Sequence, residues 1–96
     1  MEFEVAQVVR ARAGHDKGTL FCVVGVEEGF LWLADGKRRK IANPKRKRQC
    51  HVEWIGSCNH PVFARLKQRE AVGDRELRRA IAAFREGGNH AWQKTI

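Results

Sequence analysis

Over the first fifty-odd positions the apolar residues come in short runs broken at glycines, which is the pattern of consecutive short strands. From Phe3 to Arg12 the chain predicts a first strand. Phe3, Val5 and Val9 fall on one face, while Glu2, Glu4, Arg10 and Arg12 mark its solvated ends and edges. Ala13–Gly18 reads as a loop with a glycine near each end. Thr19–Val26 is almost wholly apolar and β-branched, as expected of a central strand buried on both faces. Glu27-Glu28-Gly29 is a hairpin turn, Phe30–Ala34 a third strand, and Asp35-Gly36 a two-residue hairpin signal. A fourth strand is expected from Lys37 to Ile41. Asn43-Pro44 breaks it and leaves Lys45–Arg48 as a loop. Cys50–Ile55 reads as a closing strand.

Five short strands in about fifty-five residues predict a small, strongly bent antiparallel barrel, because closure removes exposed edges. The pattern then changes period. Pro61 opens a short helix to about Arg69, with Val62, Phe63 and Leu66 apolar. Asp74 is the expected N-cap of a second helix, whose Leu77, Ala80, Ile81 and Phe84 recur at i, i+3, i+4 and i+7. Gly87-Gly88 stops it. The fold class is thus mainly β with an α appendage: a five-stranded barrel over residues 1–56, then one or two C-terminal helices within 61–96.

Charge changes this picture. The chain has 96 residues and a formal net charge of +8. Residues 1–36 are net acidic. The stretch from Lys37 to Arg48 holds eight Lys/Arg and no acid: Lys37, Arg38, Arg39, Lys40, Lys45, Arg46, Lys47 and Arg48. So dense a block repels itself and suits a polyanion, with nucleic acid the first candidate. If six of these cations meet phosphates, log K should fall with log salt with a slope of about −4 to −5.

No apolar run approaches the roughly 20 residues of a membrane span, and no apolar anchor adjoins the basic block. The start, Met1-Glu2-Phe3-Glu4, lacks the layout of a signal peptide. The expected compartment is therefore the cytoplasm, with the three cysteines as reduced thiols.

The segment from Val8 to Val26, strand–loop–strand, resembles a KOW motif, with Gly14, Lys17 and Gly18 matching its Gly-x-x-Lys-Gly loop. With the Phe30–Gly36 hairpin and the basic block following in order, residues 3–55 resemble small KOW-domain RNA-binding proteins related to a group of archaeal and eukaryotic large-subunit ribosomal proteins. That resemblance implies an SH3-like barrel, RNA binding (ribosomal RNA above all), ribosome-linked roles and ribosomal proteins as possible neighbours. It does not extend to residues 61–96.

The physical reading of the loop points the same way. Glycines let backbone N–H groups approach a phosphate, Lys17 adds a charge, and His15 can stack on a base. The same residues also suit a plain tight turn in which Asp16 bonds its own backbone. Arg10 and Arg12 lead into this loop and extend the basic surface, or are solvated edge residues. Phe30, Trp32 and Trp54 offer a stacking platform for bases, although a small barrel needs at least two of them as core. Arg75, Arg78, Arg79 and Arg85 lie mostly off the second helix's apolar stripe; they extend the basic surface or, with Glu76 and Glu86 partly offsetting them, form the solvated side of an ordinary amphipathic helix. Cys50, His51, Cys58 and His60 do not have the spacing of a common zinc knuckle, and Cys22 reads as a small core residue. No nucleophile–base pair is visible, so no enzymatic activity, cofactor or small-molecule substrate is expected. A second reading is a protein-interaction module touching ribosomal proteins or the transcription machinery.

Overall fold

A computed structural model describes residues 2–57 and 60–87. Five strands form one antiparallel sheet: β1 (Val8–Ala11), β2 (Leu20–Glu27), β3 (Phe30–Ala34), β4 (Lys45–Arg48) and β5 (Val52–Gly56). Their spatial order is β4-β3-β2-β1-β5. A single 3₁₀ turn, Gln49–His51, joins β4 to β5. Two helices follow, α1 (Pro61–Lys67) and α2 (Asp74–Gly87).

Three departures from the sequence reading have clear physical causes. The first strand is shorter than expected because the chain turns at Ala6, which sits at φ +79. The Gln7 side chain accepts from the Glu4 amide across that turn, and the Gln7 amide donates to the Glu4 carbonyl.

The fourth strand is displaced: Lys37–Ile41 is a loop and Lys45–Arg48 is the strand. Asp35 Oδ1 accepts from the Lys37 and Arg39 amides, both at 2.9 Å, and the Asp35 and Gly36 amides donate to the Arg39 carbonyl. The Ile41 amide donates to Asp74 Oδ1 at 2.8 Å. These groups are spent within the loop and on α2, so they cannot join a ladder. Extended backbone resumes only beyond Pro44, and Lys45–Arg48 pairs with Leu33–Phe30 as an edge strand.

Asp74, expected to cap α2, is instead its first residue. Gly73 occupies the cap position, and Glu76 Oε1 accepts from the Gly73 amide as in a capping box. The carboxylate of Asp74 is thereby free to hold the basic loop.

Part of the sheet is buried on both faces. On one, Val8, Leu20, Cys22 and Ala34 pack with Val62 and Phe63 of α1 and with Leu77, Ala80, Ile81 and Phe84 of α2. The helical stripe is buried as its spacing predicts, so the helices complete a core begun by the sheet. Burial pushes the Cys22 thiol pKa up, as for a core residue.

The other face joins Val9, Ala11, Phe21, Val23, Leu31, Leu33 and Val52 with no helix over them. These side chains lie at 5% exposure or less because the sheet curls over them. Bulges at Ile55 of β5, opposite Val8 and Val9, and at Val24 of β2, opposite Leu33 and Trp32, bend those two strands. A flat sheet would hold β4 and β1 about 14 Å apart, yet Lys47 Nζ of β4 reaches the Ala13 carbonyl just past β1 at 2.9 Å. The curl stops short of the expected barrel, since β4 and β5 stay unpaired and the sheet is open.

The central strand is buried on both faces only from Leu20 to Val23. Its outer half emerges into solvent, with Val26 44% exposed.

At the N-terminus of α1, Pro61 sits in the first turn and His60 Nδ1 accepts from the Val62 amide. The helix ends two residues before Arg69. That residue takes φ +61 and closes a Schellman motif, its amide donating to Leu66 and that of Glu70 to Arg65. Arg65 ties the two helices together by pairing with Glu76.

Candidate nucleic-acid interface

The loop between β1 and β2 is a compact turn with Gly14 at φ +82 and Gly18 at φ +89. The Lys17 amide donates to the Gly14 carbonyl, Gly18 to Ala11, and Thr19 to Asp16. A phosphate cradle made from the Lys17 and Gly18 amides is therefore not available. What the loop presents is its side chains, with His15 and Lys17 exposed.

Asp16 organises the site. Its side chain is only 9% exposed and lies 3.1 Å from Lys45 Nζ, 3.9 Å from Arg39 and 4.0 Å from Arg38. Burial alone would raise the Asp16 carboxyl pKa. The Lys45 ammonium, with Arg39 and Lys47 behind it, outweighs burial and holds it below the ordinary carboxylate range. Asp16 is the sole acid between Glu4 and Glu27. In sequence it reads as a turn residue, and nothing there shows that the basic block folds back onto it.

The structure divides the eight cations of the block. Lys45 and Lys47 lie on the face of β4 shared with Leu33 and Leu31. Both are committed, Lys45 to Asp16 and Lys47, buried, to the Ala13 carbonyl. Lys45–Arg48, expected as a loop, is thus a strand whose alternation turns only every second cation away from the core. Lys47→Met should keep the packing but strand the Ala13 carbonyl, lowering stability in urea unfolding by about 1 kcal/mol. It also removes an inward-pointing edge charge, so light scattering should show more self-association.

Arg46 and Arg48 point to the opposite face, beside Trp32 and Phe30. Arg46 pairs with Glu27 at 2.6 Å. Arg38 and Arg39 turn towards Asp16, Arg38 staying largely exposed and Arg39 half-buried. Lys40 is exposed and, among the described residues, meets no carboxylate. Lys37 faces α2, lining a 160 Å³ hollow with Asp35, Arg78, Ile81, Ala82 and Arg85. Arg78 and Arg85, which read in sequence as ordinary helix-surface residues, therefore extend the basic surface onto α2.

On the other flank of the β1–β2 loop, Arg10, Arg12, Lys17 and Gly18 line one shallow concavity of 380 Å³ with Glu53. Arg10 pairs with Glu53 across β1 and β5 at 3.5 Å, an exposed contact that restrains it little.

Phe30 and Trp32 are half-buried and Trp54 is 39% exposed, so none of the three aromatics is a fully buried core residue. Phe21 and Phe63 take that role. Of the four residues weighed as metal ligands, Cys58 lies outside the described residues. Among the described residues, no three His, Cys, Asp or Glu side chains converge on a common point. Likewise, no helix of the described residues is long and apolar enough to cross a membrane.

No protein-family model matches the chain, and no curated protein sequence is significantly similar to it.

Proposed function

We propose that this protein is a non-enzymatic, KOW-like RNA-binding module acting in the cytoplasm on ribosomal or other structured RNA. The observation that carries the reading is the junction at Asp16. A glycine-bounded loop and a basic block more than twenty residues downstream meet there, placing one carboxylate among Arg38, Arg39, Lys45 and Lys47. The positive charge left over faces solvent through Lys17, Arg38 and Lys40.

Protection of an open sheet edge accounts for charges on β4. It does not account for Lys37–Lys40, which lie in a loop, or for Lys17. Phosphate contacts of this kind fix position without reading sequence, and in A-form RNA they combine with recognition of shape and 2′-OH groups.

The test is a salt series of equilibrium binding to a structured RNA, comparing the wild type with Lys17→Gln/Arg38→Gln/Lys40→Gln. These three side chains are exposed, so the variant should fold. Each lost phosphate contact flattens the slope of log K against log salt by about 0.7–0.9, and the triple variant should therefore be flatter by about 2. Wild-type binding that ignores salt, or a triple variant that binds as the wild type does, rejects the proposal.

A further inference from the structure

The outer face of β3 and β4 carries a second arrangement, unlike the phosphate-facing cluster. Arg46 Nε donates to Glu27 Oε1 at 2.6 Å, and its guanidinium carbon lies 3.6 Å from the Phe30 ring centroid. Arg48 approaches the same ring at 5.4 Å. Trp32 is the cross-strand partner of Arg46, on the same face. The Arg46 side chain nonetheless remains 47% exposed.

This geometry is poor for meeting phosphate, because Glu27 already neutralises the guanidinium and Glu28 follows it in the turn. It suits stacking instead. The carboxylate holds Arg46 through Nε, at the edge of the guanidinium, and the ring supports it from one side. A planar group fixed in this way presents a flat, polarisable surface on which an unpaired base can stack. We propose that Arg46, supported by Phe30 and Glu27, is a base-stacking platform for single-stranded RNA. The proposal rests on the RNA-binding reading above and adds to it the class of RNA: a segment with unpaired bases, held by phosphate contacts near Asp16 and by stacking on β4.

The experiment uses fluorescence anisotropy with three labelled probes: an adenosine 12-mer, a uridine 12-mer and a 12-base-pair RNA duplex. The proteins are wild type, Arg46→Lys and Phe30→Leu. Arg46→Lys keeps the charge and the ion pair but loses the plane. Phe30→Leu keeps apolar bulk and removes the ring.

The wild type should prefer the adenosine strand over the uridine strand, since purines stack more strongly. Both variants should lose roughly five- to tenfold in affinity for the adenosine strand. Their duplex affinity and their salt slope should match the wild type. Arg46→Lys binding the adenosine strand as the wild type does, or losing equally on the duplex, overturns the platform and leaves the RNA-binding proposal standing. A wild type that binds none of the three probes overturns both.

Discussion

Gly36→Ala is expected to be the most destabilising single-methyl change in the described chain. Gly36 takes φ +79, and a Cβ built there would lie 2.1 Å from the Asp74 carbonyl oxygen and 3.1 Å from the Arg78 nitrogen. Both are backbone atoms of the first turns of α2, so no rotamer change relieves the contact. The loop would have to part from the helix, giving up the bond from the Ile41 amide to Asp74 and the contact of Arg78 with the Gly36 carbonyl.

A left-handed alanine alone costs about 1–2 kcal/mol. With the clash, the loss should reach about 3–4 kcal/mol, a large share of a small domain's stability. In a thermal melt this is a fall of roughly 15–25 °C. Gly29→Ala is the matched control, since Gly29 has the same φ of +79 but nothing within 4 Å of its Cβ position. It should show only the conformational part, about 1 kcal/mol. Equal shifts for the two variants would mean that the close approach to α2 is not what makes Gly36 necessary.

Asp16→Asn should move stability and RNA affinity in opposite directions. Removing the charge leaves Lys45 and Lys47 facing one another without their shared counter-ion. Breaking a fully buried ion pair costs about 3–5 kcal/mol. Lys45 keeps partial contact with water, so about 2 kcal/mol is expected here, measured by urea unfolding at neutral pH. The folded-state pKa of Asp16 lies below its reference value of 3.8, so the unfolded chain binds the proton more readily. Its contribution is therefore complete above about pH 4 and disappears as pH falls through the folded-state value. The gap in stability between wild type and Asp16→Asn should be constant from neutral pH down to about 4 and narrow below that. Over the same pair, the proposed RNA binding predicts an affinity about twofold higher at low salt, because a negative charge has left the surface proposed to meet phosphate. Weaker RNA binding by a folded Asp16→Asn protein would show that the carboxylate positions cations for RNA rather than merely restraining them.

Those two residues also show where sequence reasoning stops. Asp35-Gly36 is legible as a turn because glycine there meets a backbone demand that is local. That the same glycine must also be small for α2 to pass depends on a helix nearly forty residues away. Likewise, a loop containing Asp16 between two glycines is legible, whereas its role as a counter-ion follows from the curl that brings β4 over the β1–β2 loop. Strand β4 itself was unreadable. Lys45–Arg48 has no apolar alternation, and its pairing is set by the exposed edge of β3 and by the diversion of the Lys37–Ile41 amides to Asp35 and Asp74.

By itself, then, the sequence determined the element types whose signals are local: apolar β2 and β3, the turns at Gly29 and Gly36, and the helical stripe of Leu77, Ala80, Ile81 and Phe84. It also determined that eight cations lie together along the chain. Only the tertiary structure decided which of them face solvent, which neutralise Asp16 and which stack on Phe30. Sequence proximity sets the density of charge. Its direction follows from strand parity and sheet curvature, which depend on contacts between residues far apart in the chain.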